Sequence, residues 1–237
     1  MLRTIFWYTT GWIYLFFTMP VLYRIKYLEY RGRLAEKEAL ANRFSMRLAR
    51  GLFCLTGSSV EVSGAQKLPD GPVLFVSNHQ SHIDSAVIHG FICRAKGFIA
   101  DKDAGNIPIL RTWMKYMKCI FIDRKNARSN IISLEKGIRL LRQGHSLVIY
   151  PEGKINASNQ LIDFKKGFCK LAAKAGVPIV PVTIRDSCRI MNRDGFGIRP
   201  ASIKCIISDP IYVSSFSHKN ETVQIKKVRD TIANNLM

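Results

Sequence analysis

Residues 73 to 85 read VLFVSNHQSHIDS. Four apolar residues, Val73 to Val76, run directly into a polar cluster, the pattern of a short strand buried on both faces. Asn78, His79, His82 and Asp84 then fall within seven residues, at the strand end where open α/β sheets place their sites. On an ideal helix His79 and Asp84 would stand about 140° apart. They meet only if His79 lies on the turn entering a helix and Asp84 in its first turns. A hydrogen bond between them would fix the imidazole tautomer and leave the other ring nitrogen as a general base.

Outward from this stretch, the chain after Gly57 alternates short apolar runs with helical patterns, which predicts an α/β fold, a mixed β-sheet flanked by helices. Strands are expected at 60–62, 73–76, 98–100, 119–122, 146–150, 179–184 and 203–207. Ile131, Leu134, Ile138 and Leu141 recur at spacings of three and four, so 129–143 is expected to be an amphipathic helix. Phe164, Phe168, Leu171 and Ala175 repeat the pattern over 164–175, and Gly176 with Pro178 ends it.

Three further polar clusters close strands or open them: CIFIDRKN (119–126), YPEGKIN (150–156) and VPIVPV (177–182). An arginine at one strand end and a lysine at another offer a forked and a point-charge donor for a phosphate, with Gly153 permitting close backbone approach. Other readings of the histidine run stay open at this point. His79, His82 and Asp84 could ligate a metal, although no second ligand cluster follows downstream. Ser81 or Asn78 could simply cap a helix. No GxSxG elbow occurs, so a nucleophilic serine has no support.

Composition bounds these choices. The 237 residues are 47% hydrophobic and carry a formal charge of +19, too apolar for disorder and too charged for a bundle of membrane spans. Such a surface suits polyanions: nucleic acid, anionic headgroups or phosphorylated substrates. The six cysteines form no CxxC pair, so neither a disulfide framework nor a zinc knuckle is expected, and the compartment is read as reducing.

Residues 1–56 are read as membrane-anchoring helices ahead of a catalytic domain over 57–237. Thr4 to Tyr23 holds no charge and eight of the 24 aromatic residues. As a helix it would reach about 30 Å, the thickness of a hydrocarbon core, while its Trp and Tyr residues suit the interface. Both a span and an in-plane helix fit. A cleaved signal peptide fits less well, because no small-x-small site precedes the basic residues that follow. Arg24 to Arg50 has eight basic and three acidic residues, net +5, and reads as a basic amphipathic helix on anionic lipid, with the domain on the cytoplasmic side.

The blocks NHQSHID, FIDR, PEGKIN and VPIVPV, in this order, resemble the four motifs of the glycerolipid acyltransferase family, most closely its 1-acyl-glycerol-3-phosphate acyltransferases. The resemblance covers residues 57 to about 210. It implies that His79 is the base and Asp84 its partner. It further implies that Arg124, Glu152, Gly153 and Lys154 bind the glycerol-phosphate acceptor, that Lys102 in ADKDAGNIP adds a phosphate contact, and that Val180 and Pro181 shape a substrate pocket. The third block departs from the family pattern: Lys154, Ile155 and Asn156 stand where Thr, Arg and Ser are usual.

The implied reaction is direct acyl transfer to lysophosphatidic acid from acyl-CoA or an acyl-carrier protein, at a membrane, with no metal or other cofactor. The net +8 of residues 94–143 suits an acidic carrier, CoA phosphates or anionic lipid. Nucleic acid is not expected, because the aromatics concentrate at the N-terminus and in strands rather than among basic residues.

Overall fold

The computed structural model describes residues 1–123, 125–158, 160–191, 197–213 and 218–237. Seven strands, β1 (Ser59–Ser63), β2 (Leu74–Ser77), β3 (Lys96–Asp101), β4 (Ile120–Ile122), β5 (Ser146–Ile149), β6 (Ile179–Arg185) and β7 (Ser202–Ile207), form one sheet in the order β1-β7-β6-β2-β5-β3-β4. Pairings from β6 through β2, β5 and β3 to β4 are parallel, whereas β7 is antiparallel to β6 and parallel to β1. Each of the seven apolar runs picked out in the sequence corresponds to a strand of this mixed sheet, with Val73, Cys119 and Tyr150 falling one residue outside β2, β4 and β5.

The helices are α1 (Leu2–Phe17), α2 (Met19–Tyr30), α3 (Leu34–Cys54), α4 (Asp84–Phe91), α5 (Pro108–Tyr116), α6 (Ala127–Arg142), α7 (Gly167–Ala175) and α8 (His218–Leu236). Because side chains alternate across a strand, Phe75, Val148 and Val180 face α3 and α4, meeting Phe53, Val87 and Ile88. Leu74, Val76, Leu147 and Ile179 face the other way, onto Leu141, Phe168 and Val228 of α6, α7 and α8. β2 is therefore buried on both sides. Burial of one side chain such as Phe75 contributes roughly 2 to 3 kcal/mol, which fixes where the strand stops and the polar loop begins.

The structure differs from the sequence reading in three places. The basic stretch 24–50 is two helices, α2 and α3, because Gly32 between them takes φ +70°. The apolar stripe of α3 does not face lipid: Ala41, Leu48 and Phe53 are buried against the protein, and Phe53 joins the core that α4 and the sheet share. The helix expected from Phe164 starts at Gly167, while Phe164 is a buried anchor of the preceding loop and the Lys165 N–H donates to Pro151 O at 3.0 Å.

Leu2 to Tyr30 is the single helical stretch long and apolar enough to cross a membrane among the described residues. Its inner face rides on the body. Trp7 Nε1 donates to Leu52 O at 2.9 Å, Trp113 Nε1 to Thr18 Oγ1 at 2.9 Å, and the Ile198 N–H to Thr4 Oγ1 at 3.0 Å. Leu22, Ile25 and Leu28 are buried, whereas Ile5, Phe6, Trp12, Phe16, Phe17 and Tyr23 are exposed.

Candidate functional site

β2 hands over to the polar loop through Asn78. Its side-chain amide donates to Ile184 O and accepts from the Ile184 N–H, both at 2.8 Å. The amide thus replaces the next rung of the β2/β6 ladder while the main chain turns away. Six residues later Asp84 opens α4, fully buried. Its Oδ2 accepts from the Gln80 and Ser81 N–H groups at 2.7 and 2.9 Å and lies 2.9 Å from His79 Nδ1. With that nitrogen facing a carboxylate, the Nδ1–H tautomer is favoured and the lone pair sits on Nε2. His79 keeps 17% of its side-chain surface open.

A second loop grips the histidine main chain. Glu152 is buried, and its Oε1 accepts the His79 N–H at 3.0 Å while Oε2 accepts from Asn156 Nδ2 at 3.1 Å and the Ile162 N–H at 3.4 Å. The Asn156 N–H donates to His79 O at 2.7 Å. Burial pushes the Glu152 carboxyl above its ordinary range, against the pull of these donors. Gly153 makes the loop possible: its φ is +74° and its N–H donates to Tyr150 O at 3.1 Å, closing a turn in which Pro151 takes the second position.

The remaining residues singled out in the sequence are spread along and beneath the same sheet edge. Lys154 is exposed. Lys102, also exposed, follows β3, two strands or about 10 Å from β2, and its Nζ donates to Asp123 Oδ2 at 2.7 Å. That bond raises the lysine pKa and lowers the aspartate's. Arg124 lies outside the described residues. Val180 and Pro181 are buried within β6, paired to Phe75 and Val76, so they support the sheet beneath the loop and line no open surface. Pro181 is tolerated there because β7 pairing ends at Val182, and the adjoining chain resumes one residue out of register at Ile179 and Ile211. His82 is exposed on the loop.

The sequence reading missed Tyr150. Its ring stacks on the His79 imidazole with centroids 4.0 Å apart and planes 11° from parallel. A tyrosine ending a strand beside the PEG turn was the available signal. The backbone amides that follow Asn78 are engaged within the loop: those of His79, Gln80 and Ser81 donate to Glu152 or Asp84.

Comparison with known proteins carries the geometry further. The chain resembles a probable 1-acyl-sn-glycerol-3-phosphate acyltransferase of Mycoplasma pneumoniae, 36% identical over 58% of this chain and 53% of that protein. A counterpart in Mycoplasma genitalium is 31% identical over 79% and 74%, and a chloroplast 1-acyl-sn-glycerol-3-phosphate acyltransferase of Brassica napus is 33% identical over 65% and 45%. The chain thus spans about half the length of some of the curated relatives it matches. The crystal structure of the 1-acyl-sn-glycerophosphate acyltransferase PlsC from Thermotoga maritima superposes with a TM-score of 0.85 at 25% identity, covering 99% of this chain and 93% of that one. A family model described as Acyltransferase matches residues 59–185, from the first residue of β1 to the last of β6, and over that span, more than half its length, the chain belongs to the acyltransferase family.

Proposed function

We propose that this chain transfers a fatty acyl group from a thioester, acyl-CoA or acyl-carrier protein, to the free hydroxyl of 1-acyl-glycerol-3-phosphate, giving phosphatidic acid. The observation that carries the reading is the His79–Asp84 pair at 2.9 Å, held at the end of β2 with Nε2 unpartnered among the described residues. The names borne by the relatives supply the acceptor. Nε2 removes the hydroxyl proton, the oxygen attacks the thioester carbon, and the carbon–sulfur bond breaks. The imidazolium, stabilised by Asp84, returns its proton to the departing thiolate. A thioester is already activated, so the scheme needs neither a covalent enzyme intermediate nor a metal.

The exposed face of α1 and α2 brings the protein to its lipid acceptor. That helical stretch is bonded to the body near both ends of α1, so it lies along the domain with its aromatics in the interface, rather than projecting away as a lone span. The basic residues that follow it favour the cytoplasmic leaflet.

The test is formation of phosphatidic acid from labelled lysophosphatidic acid in vesicles, with acyl-CoA and acyl-carrier protein offered separately. Product with either donor, lost in His79→Ala, is the expected result. Ile155, standing where the family has arginine, favours a second reading in which another lysophospholipid or a lyso-ornithine lipid is acylated. Acylation of such a lipid without phosphatidic acid formation would establish that reading instead.

A further inference from the structure

Beyond its covalent Cβ–Cγ bond, the His79 ring is tied by one hydrogen bond, at Nδ1. A hydrogen bond tolerates a spread of angles, so the χ1 and χ2 torsions keep a range of tilt that moves Nε2, the atom that must meet the acceptor hydroxyl. Four contacts bear on this freedom. The Asp84 bond fixes Nδ1, and Glu152 with Asn156 fixes the main chain of His79 on both sides. The fourth contact is the Tyr150 ring, 4.0 Å away and nearly parallel, which covers one face of the imidazole.

Tyr150 is itself held at both ends. Its main chain leaves β5 at the PEG turn, and its hydroxyl lies 3.2 Å from Ser85 Oγ, on the residue next to Asp84. Phe98 of β3 also lies against Tyr150, with ring centroids 6.5 Å apart and planes 24° from parallel. The ring thus contacts both the sheet core and the histidine, and its hydroxyl reaches the first turn of the helix that carries the aspartate. Burial pushes the phenol pKa well up, so the group stays neutral in any ordinary assay and acts through its shape.

We propose that Tyr150 is a positioning residue for His79: its stacked ring removes the tilt that the Asp84 bond leaves and fixes the plane in which the Nε2 lone pair points. This rests on His79 being the base. The acceptor hydroxyl then meets Nε2 in the plane of the ring. The planar ring is the required feature, and the hydroxyl is secondary.

The test compares Tyr150→Phe, Ser85→Ala, Tyr150→Leu and His79→Ala in the vesicle assay, with kcat normalised to the folded fraction measured by thermal unfolding. Tyr150→Phe and Ser85→Ala keep the ring in place and should retain kcat within about threefold. Tyr150→Leu should lower kcat about 30-fold, the scale of loss for a misplaced reacting group, with the acceptor KM changed less than about threefold. If Tyr150→Leu does not fold, Tyr150→Met fills more of the same volume without a planar face and serves in its place. A tyrosine that only fills space would give aliphatic variants with lower Tm and unchanged normalised kcat, and that result overturns the proposal. So does a defect confined to the acceptor KM. If His79→Ala is inactive while Tyr150→Leu is fully active, only the positioning role fails. An active His79→Ala removes the reading of His79 as base.

Discussion

The two ends of the sheet carry similar side chains arranged to different effect. At the carboxyl ends of the parallel strands, His79, Asp84, Tyr150 and Glu152 converge on one imidazole whose Nε2 no described residue occupies. At the opposite end, His145 Nε2 meets Lys118 Nζ, which also donates to Glu38 Oε1 at 2.7 Å. His89 Nε2 lies 2.9 Å from Ser45 Oγ, and the Lys96 ammonium donates to Ile92 O at 2.8 Å. The groups at that end close joints, His89 and Glu38 between α3 and the body, Lys96 at the end of α4. A cluster of ionisable groups does not mark a site. A nitrogen lone pair held in place and left open to solvent does.

The sharpest way to break this contrast is to remove one histidine from each end. His79→Ala should lower turnover by about 10² to 10⁴, the usual contribution of a positioned base, with the fold retained by circular dichroism. His145→Ala should leave turnover near wild type. Asp84→Asn should approach the His79 loss: its amide oxygen can replace Oδ2 as acceptor for Gln80, Ser81 and His79 Nδ1, but a neutral amide no longer stabilises the imidazolium that forms when the base takes its proton. Equal losses in His79→Ala and His145→Ala would erase the distinction between the ends.

Much of this arrangement is legible in the sequence, for identifiable reasons. All seven strands are apolar runs with turn signals beside them, and the 140° argument places His79 before the helix that Asp84 begins. Long-range contacts are what the sequence withholds. Glu152 reads as an acceptor ligand by resemblance, yet both its oxygens are taken by protein donors, one of them 73 residues away. Lys102 reads as a phosphate contact by resemblance, and the pairing of β3 with β4 brings Asp123 onto it. Helix α3 reads as lipid-facing because basic residues flank its stripe, whereas α4 and α5 cover that stripe. Two helices were missed despite available signals: Pro108 opens α5, and Ile225, Val228, Ile232 and Leu236 of α8 keep helical spacing.

Within the site end, a finer division separates the residues that hold His79 from those that face solvent. Glu152→Gln retains one acceptor oxygen but turns an NH₂ toward the Asn156 amide and the Ile162 N–H. Turnover should fall about tenfold while the acceptor KM stays near its wild-type value, because the loop that holds His79 is disturbed. Lys154→Ala should do the reverse, raising the acceptor KM roughly threefold to tenfold with little effect on kcat, as suits an exposed charge beside a phosphate. Measuring both constants for both variants decides the matter. If Glu152→Gln acts mainly on KM, the carboxylate is an acceptor ligand, as the family resemblance implies.

The smallest effect at neutral pH belongs to the opposite end. His89 is 2% exposed and its Nδ1 has no partner, so burial, with Lys96 nearby, lowers its pKa to about 3. The unfolded chain binds a proton there near pH 6.5 and the folded chain only near 3, so the unfolded state gains protons first as pH falls. The stability conferred by neutral His89 is fully present above about pH 6.5 and diminishes below it, by at most about 1.4 kcal/mol per pH unit. His89→Leu removes the titrating group while filling the space, and Ser45 Oγ still donates to Asn42 O at 3.1 Å. Thermal unfolding from pH 8 to pH 5 should therefore show wild type losing stability faster than His89→Leu below pH 6.5, with the two curves parallel above it. Parallel curves over the whole range would mean that His89 is protonated at its joint as readily as in the unfolded chain.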